Sequence, residues 1–374
     1  MQITDITDYR IEYPMEATFE PSWYPDFEQS VHEVQLYEIE TDTAVSGITS
    51  VTGDATRVDS LDLARETLVG KDPRNVEQRI RDLSSLNSYG PRPWHFEVAL
   101  WDIVGKEVGK PIYDLLGGDS SPIPAYASSG ELRPPAERLD YVTDRVDEGF
   151  EAVKLRFHSD DIEDDLAVAR RVRAEFPDLV LMVDLNMGWS VSAPGGDTWT
   201  FDDALTVARE LEDIGNVAWL EEPFDQRNYD ALARLREKTD VPIAGGEFNN
   251  GVHHFREFVD HDALDVLQPD AMLSGGILKS KLIAGLADMH GLQFAPHTWN
   301  DGIGFAANLQ LLACTNPSWC EYPLEPPGWS IETRDFLLDE PILARDGQVE
   351  PPTGPGLGIE LDWDLVDELA VKTA

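Results

Sequence analysis

Three short apolar runs in the middle of this 374-residue chain each end in a carboxylate. They are Leu179-Val180-Leu181-Met182-Val183-Asp184, Val217-Ala218-Trp219-Leu220-Glu221-Glu222-Pro223 and Val241-Pro242-Ile243-Ala244-Gly245-Gly246-Glu247. If the runs are neighbouring parallel strands, Asp184, Glu221 and Glu247 meet at one mouth. There they repel one another and lose hydration unless a cation fills the space. A hard divalent ion with oxygen ligands, Mg2+ before others, suits three carboxylates and keeps open positions for substrate oxygens. An acid just after a strand is more often a helix N-cap or a solvated loop residue. For one acid that plainer reading wins; for three in consecutive units the metal is favoured.

The runs become neighbours only if helices join them, and the intervening segments, roughly 202–214 and 229–238, carry apolar residues at spacings of three and four. Each run is continuously apolar, as a strand covered on both faces must be. From Ile123 onward strand and helix alternate, with strand starts near Ile123, Glu151, Leu179, Val217, Val241, Leu264, Leu292 and Trp319. That pattern excludes a bundle or a sandwich and predicts a closed parallel barrel, whose chemistry sits at the C-terminal strand ends.

The other strand ends carry further candidates. In Glu151-Ala152-Val153-Lys154-Leu155-Arg156-Phe157-His158, period two puts Lys154, Arg156 and His158 on one face. A solvated edge would alternate in the same way, but in a barrel this face points inward, toward the carboxylates. Asp270 and His297 end the sixth and seventh strands, where a hydrogen bond between them would fix the imidazole tautomer and raise its basicity. A lone His is more often structural; one paired with an Asp at a barrel mouth favours catalysis. Glu321 ends the last strand.

Residues 1 to about 50 read as strands, interrupted by a loop from Pro14 to Gln29 that carries Phe19, Trp23, Tyr24 and Phe27. Those aromatics either anchor the loop on the core or close it over a ligand, with Trp23 and Tyr24 as substrate contacts. Helical periodicity follows from Ser60 to Leu86 and from Pro93 to Leu116, and the glycines at 117 and 118 place a domain boundary near Asp119. The last fifty residues, rich in proline and glycine, are expected to return to the N-terminal region.

The chain carries 71 acidic against 29 basic residues, a formal charge of −42, which repels nucleic acid and acidic membrane surfaces. Disorder is excluded by 42% hydrophobic residues and ten tryptophans. Only eight of the basic residues are lysine, and an acid-rich, lysine-poor surface suits concentrated salt, so a halophilic habitat is expected. No signal peptide or membrane-length apolar run is present, and two cysteines make neither a disulfide framework nor a zinc motif. A cytoplasmic location is the resulting expectation.

Taken in order, Lys154-x-Arg156, Asp184-x-Asn186, Glu221-Glu222-Pro223, Gly246-Glu247, Asp270, His297 and Glu321 resemble the mandelate racemase and muconate lactonizing branch of the enolase superfamily, over nearly the whole chain. Each piece is weak alone; together, at strand ends, they are specific. The resemblance implies a modified TIM (β/α) barrel with an α+β capping domain formed by the N-terminal region and the C-terminal segment. On that plan 1–119 is the N-terminal part of the cap, 120–325 the catalytic barrel, and 326–374 the segment returning to the cap. It also implies that Asp184, Glu221 and Glu247 hold Mg2+, that His297 with Asp270 is a base, that Lys154 and Glu321 face a substrate carboxylate, and that Asn186 touches substrate. A small sugar acid and further copies of the chain are the expected partners, with neither nucleic acid nor membrane.

One departure directs the functional expectation. Where racemases of this branch typically carry a second lysine, this chain has Arg156, a poor proton acceptor. With one good base, elimination is expected: a sugar-acid dehydratase giving a 2-keto-3-deoxy acid. The alternatives are a racemase, epimerase or cycloisomerase with His158 or Arg156 as second base, and a non-catalytic binder of metal and sugar acid.

Overall fold

The structure is a computed structural model that describes residues 1–371 apart from 25, 54–60, 87–91, 160 and 189–198. The chain begins with three antiparallel strands, β1 (Ile3–Phe19), β2 (Gln29–Thr41) and β3 (Gly47–Thr52), in that spatial order. Helices Leu61–Leu68, Val76–Ser84 and His95–Val108 follow. They bury Leu68, Leu83, Phe96 and Leu100 against Ile3, Ile6 and Ile39 of the sheet.

The loop expected from Pro14 to Gln29 is shorter than that. Strand β1 runs on to Phe19, so only residues 20–28 connect it to β2. Pro14 is tolerated because β1 is the edge of the sheet, where a missing N–H interrupts no ladder. The pairing skips from Pro14↔Val31 to Phe19↔Gln29, which carries the hairpin tip outward. There Ser22 N–H donates to Gly130 O and Glu20 N–H to Glu131 Oε1, both at 2.9 Å, so the tip docks on the chain just past the next strand.

Eight parallel strands follow: β4 (Ile123–Ser128), β5 (Ala152–Arg156), β6 (Val180–Asp184), β7 (Val217–Glu221), β8 (Ile243–Gly245), β9 (Val266–Leu267), β10 (Gln293–Phe294) and β11 (Cys320–Pro323). They pair in sequence order, and β11 returns to β4, with Glu321 opposite Tyr126. Between β10 and β11 the ring is joined by Ser318 N–H donating to Phe294 O at 2.9 Å. A helix joins each consecutive pair of these strands, whereas β11 leads only to the five-residue helix Ile331–Asp335. The modification of the barrel lies in that last unit.

Period two divides the barrel residues between two cores. Outward-facing Val153, Leu155, Leu181, Val183 and Leu220 pack under the helices, while Tyr126, Ala152, Met182, Trp219, Ala244 and Val266, one from each of six successive strands, and Ala295, just past β10, fill the interior. This plug closes the bottom of the barrel and leaves the next inward residues at the mouth. The C-terminal segment divides its contacts. The hairpin of β12 (Ala344–Arg345) and β13 (Gln348–Val349) adds antiparallel to β4, and helix Trp363–Leu369 reaches β1, where Ile11 bridges Ala370 and Tyr9 meets Trp363 at 5.9 Å. Among the described residues no helix is long and apolar enough to cross a membrane. Both cysteines are free and buried.

Candidate active site

Strand register brings the charged residues to one level. Arg156 pairs with Asp184 across β5 and β6, and Asp184 with Glu221 across β6 and β7. Asp184 and Glu221 lie two residues above Met182 and Trp219 on the inner face, and Arg156 lies two above Lys154 and four above Ala152, so their side chains enter the mouth above the apolar plug. Glu247 follows Gly246, whose φ of 128° and close contact with Phe255, 2.6 Å from where a Cβ would stand, admit only glycine. That turn delivers Glu247 to the same rim.

The cations bridge the acids. Lys154 Nζ lies 2.7 Å from Glu321 Oε1, 3.0 Å from Glu221 Oε1 and 3.5 Å from Asp184 Oδ2. Arg156 contacts Asp184 Oδ2 closely, donates to Asn186 Oδ1 at 3.2 Å and to Ser129 O at 2.6 Å, and lies 5.0 Å from the Trp23 ring. Burial opposes both charges, but the surrounding carboxylates hold Lys154 and Arg156 above their ordinary pKa values. Glu321 is held below the carboxylate range, burial being outweighed by Lys154, His297 and Arg156.

On the opposite side, His297 Nδ1–H donates to Asp270 Oδ2 at 2.8 Å, and Nε2 stands 3.5 Å from Glu247 Oε2. Burial disfavours the imidazolium, yet Glu247, Glu321 and Asp270 push its pKa up to about 10. Glu247 rises to about 7, from burial first and then from the neighbouring acids, against the pull of His297.

The remaining candidates are less central. Asn186, at φ 50°, folds back so that its N–H donates to Asp184 Oδ1 at 2.9 Å. Trp23 covers Arg156, whereas the half-buried Tyr24 ring turns toward Phe27, 6.0 Å away. His158 lies two residues beyond β5 and is half-buried. A cavity of about 360 Å³ beside the mouth touches this group only at Arg156; its other basic residues, Arg133 and Arg138, are paired with Glu325.

A family model described as enolase C-terminal domain-like matches residues 137–365, well over half of the chain. The chain belongs to the enolase superfamily, in its mandelate racemase-like branch. A D-galactarolactone cycloisomerase from Agrobacterium fabrum is 33% identical over 98% of both chains. Arabinonate dehydratase from Saccharolobus solfataricus is 32% identical over 74% of this chain and 71% of its own. The crystal structure of D-glucarate dehydratase from Agrobacterium tumefaciens, complexed with magnesium, superposes on 100% of both chains with a TM-score of 0.86 at 26% identity.

In this enolase-superfamily barrel several site residues escaped sequence reasoning. Gln268 and Trp219 both donate to Glu221 Oε2 at 3.0 Å. Asn300 donates to Asp270 Oδ2 at 2.8 Å and Asn308 to Oδ1 at 3.2 Å, while Ser128 and the Thr298 N–H hold Glu321 at 2.8 and 2.7 Å. Trp219 and Gln268 share a face with Glu221 and Asp270 by period two, a signal that could have found them. Trp299, 5.2 Å from the Arg156 guanidinium, and Trp329, 5.5 Å from Trp299, carry no such signal.

Whether the residues fit a divalent cation can be judged from their charge. Among the described residues six carboxylates (Asp184, Glu221, Glu222, Glu247, Asp270 and Glu321) face Lys154, Arg156 and His297, and both Glu222 oxygens are buried without a hydrogen-bond donor. As arranged, Asp184, Glu221 and Glu247 lean on Arg156, Lys154 and His297, and among the described residues no three acids form a ready coordination shell. The anionic excess and the all-oxygen donor set nevertheless fit Mg2+, and without added positive charge the mouth would repel an anionic substrate.

Proposed function

We propose that the protein removes the proton α to the carboxylate of a sugar acid and expels the β-hydroxyl as water, giving a 2-keto-3-deoxy acid. The carrying observation is a His297–Asp270 pair that faces Lys154 and Arg156 across a ring of acids, with an arginine where a second base would stand. Asp184, Glu221 and Glu247 would hold Mg2+, which supplies positive charge where the substrate carboxylate gains its second negative charge.

The remaining chemistry belongs to the chain. His297 Nε2 takes the α-proton while Asp270 holds the opposite nitrogen, fixing the tautomer. Glu247, 3.5 Å from Nε2, is the strongest carboxylate influence on the imidazole. The C–O bond at the β-carbon then breaks, the hydroxyl takes the proton that His297 now carries and leaves as water, and the enol tautomerises to the keto acid. Arg156, fixed by Asp184, Asn186 and Ser129, stays charged and orients rather than abstracts.

The relationship to a cycloisomerase supports a second reading. If the β-oxygen belongs to a lactone or anhydro ring, the same proton removal opens the ring and nothing leaves. Incubating the protein and Mg2+ with sugar acids and their lactones, and following keto-acid formation by mass, separates the readings. Loss of water marks a dehydratase; an unchanged formula marks a cycloisomerase. In D2O, recovery of deuterated epimer without keto acid would mark a racemase and overturn the proposal.

A further inference from the structure

Glu222 is oddly placed for a residue that merely follows a strand. Its N–H donates to Ala244 O and its carbonyl accepts from Met187 N–H, both at 3.0 Å, so its backbone is the last rung of β7 on both sides. In an extended strand the residue after inward-facing Glu221 would point outward under the helices. Its φ of 49° lies instead in the left-handed region that a glutamate rarely adopts. The side chain is thereby swung back over the strand ends, where a Cβ on Gly188 would stand 2.4 Å from the Glu222 carboxylate and one on Gly245 3.7 Å from its Cγ. Gly188 follows β6 and Gly245 ends β8, so this carboxylate lies between the chain segments that carry Asp184 and Glu247.

It is 4% exposed, and neither oxygen has a donor among the described residues. Strain that buries an unpartnered acid between the segments that carry Asp184 and Glu247 has no capping purpose, since Glu222 caps no helix. We propose that Glu222 contributes its carboxylate to the cation site, closing it from the rim side. This rests on the reading above that Asp184, Glu221 and Glu247 hold Mg2+.

Calorimetric titration of the metal-stripped full chain with MgCl2 tests it, with no dependence on turnover. Wild type is expected to bind, and Glu222→Gln, isosteric but neutral, to bind at least about ten-fold more weakly. Its melting temperature in chelator should be no lower than that of wild type, because an unpartnered buried charge is gone. Gly188→Ala keeps the charge but drives a methyl into the carboxylate, and should also weaken binding, which covers the case of a Glu222→Gln chain that does not fold. Mg2+ affinity unchanged in the folded variants overturns the role of Glu222 alone. A wild type that binds no Mg2+ overturns this inference together with the reading beneath it.

Discussion

At the scale of single residues the proposed chemistry depends on an asymmetry between two sides of one mouth. His297 carries an oriented imidazole, held by Asp270, which in turn receives Asn300 and Asn308. Opposite it stand groups that remain protonated, Lys154 and Arg156. His297→Asn is therefore expected to abolish both keto-acid formation and exchange of the α-proton with D2O, read by NMR, while the melting temperature changes little. Exchange persisting at the wild-type rate would move the base to the β5 side. Arg156→Lys exchanges a forked guanidinium for a titratable amine, and the expected result is α-proton exchange rising relative to water loss. Glu221→Gln should lower turnover by at least about a hundredfold in excess Mg2+, by analogy with the effect of disturbing metal-site groups. Circular dichroism should show the barrel intact, because Lys154 keeps Glu321 at 2.7 Å.

At the scale of elements, the junction between the two parts of the molecule is built from polar groups buried with specific partners. Helix Gly276–His290 has no side-chain cap of its own; Glu97, from helix His95–Val108, accepts from Leu278 N–H at 2.7 Å and serves in its place. Gly276, at φ 79°, is required there, since a Cβ would meet Glu97 Oε2 at 1.9 Å. Burial raises the Glu97 pKa to about 7, against the pull of Leu278 N–H, Trp101 and Lys279. An acid whose folded pKa lies above its unfolded value binds more protons when folded, so its contribution is complete below the unfolded pKa and is lost as pH rises through about 7. The loss between pH 4.5 and 7 is roughly 3 kcal/mol from the size of that shift. Glu97→Gln should remove this component, so that raising the pH from 5.5 to 8 lowers its melting temperature less than that of wild type. Equal falls in both proteins would show that Glu97 is not the group responsible.

At the scale of the whole molecule, the charge of −42 sets the response to salt. Surface acids repel over a Debye length of about 10 Å at 0.1 M and about 3 Å at 1 M. Melting temperature is expected to rise from dilute buffer to molar KCl, by screening rather than by any specific site. A flat response would mean that the acids are far enough apart, or well enough paired with arginines such as Arg74 and Arg170, for repulsion not to matter. Mg2+ should add a separate, saturable rise at millimolar concentration that Glu221→Gln lacks.

Much of this was legible in the sequence because a buried parallel strand leaves a simple signature. Apolar runs ended by Asp184, Glu221 and Glu247 marked their strands within a few residues of where they lie, and period two placed Lys154 and Arg156 on the inner face. What the sequence by itself determined is thus local: which segments are strands, which end of each bears a charge, and which side chains share a face. Only the tertiary structure decided which charges meet. The register that aligns Arg156, Asp184 and Glu221 depends on how neighbouring strands slide, which no single strand records. Trp299 and Trp329 join Phe19 and Trp23 because the hairpin tip docks on Gly130 and Glu131, a contact between distant parts of the chain. Glu222 shows the limit most sharply: alternation assigns it to the outer face, and neither its positive φ nor its burial against Gly188 is visible in a glutamate's identity.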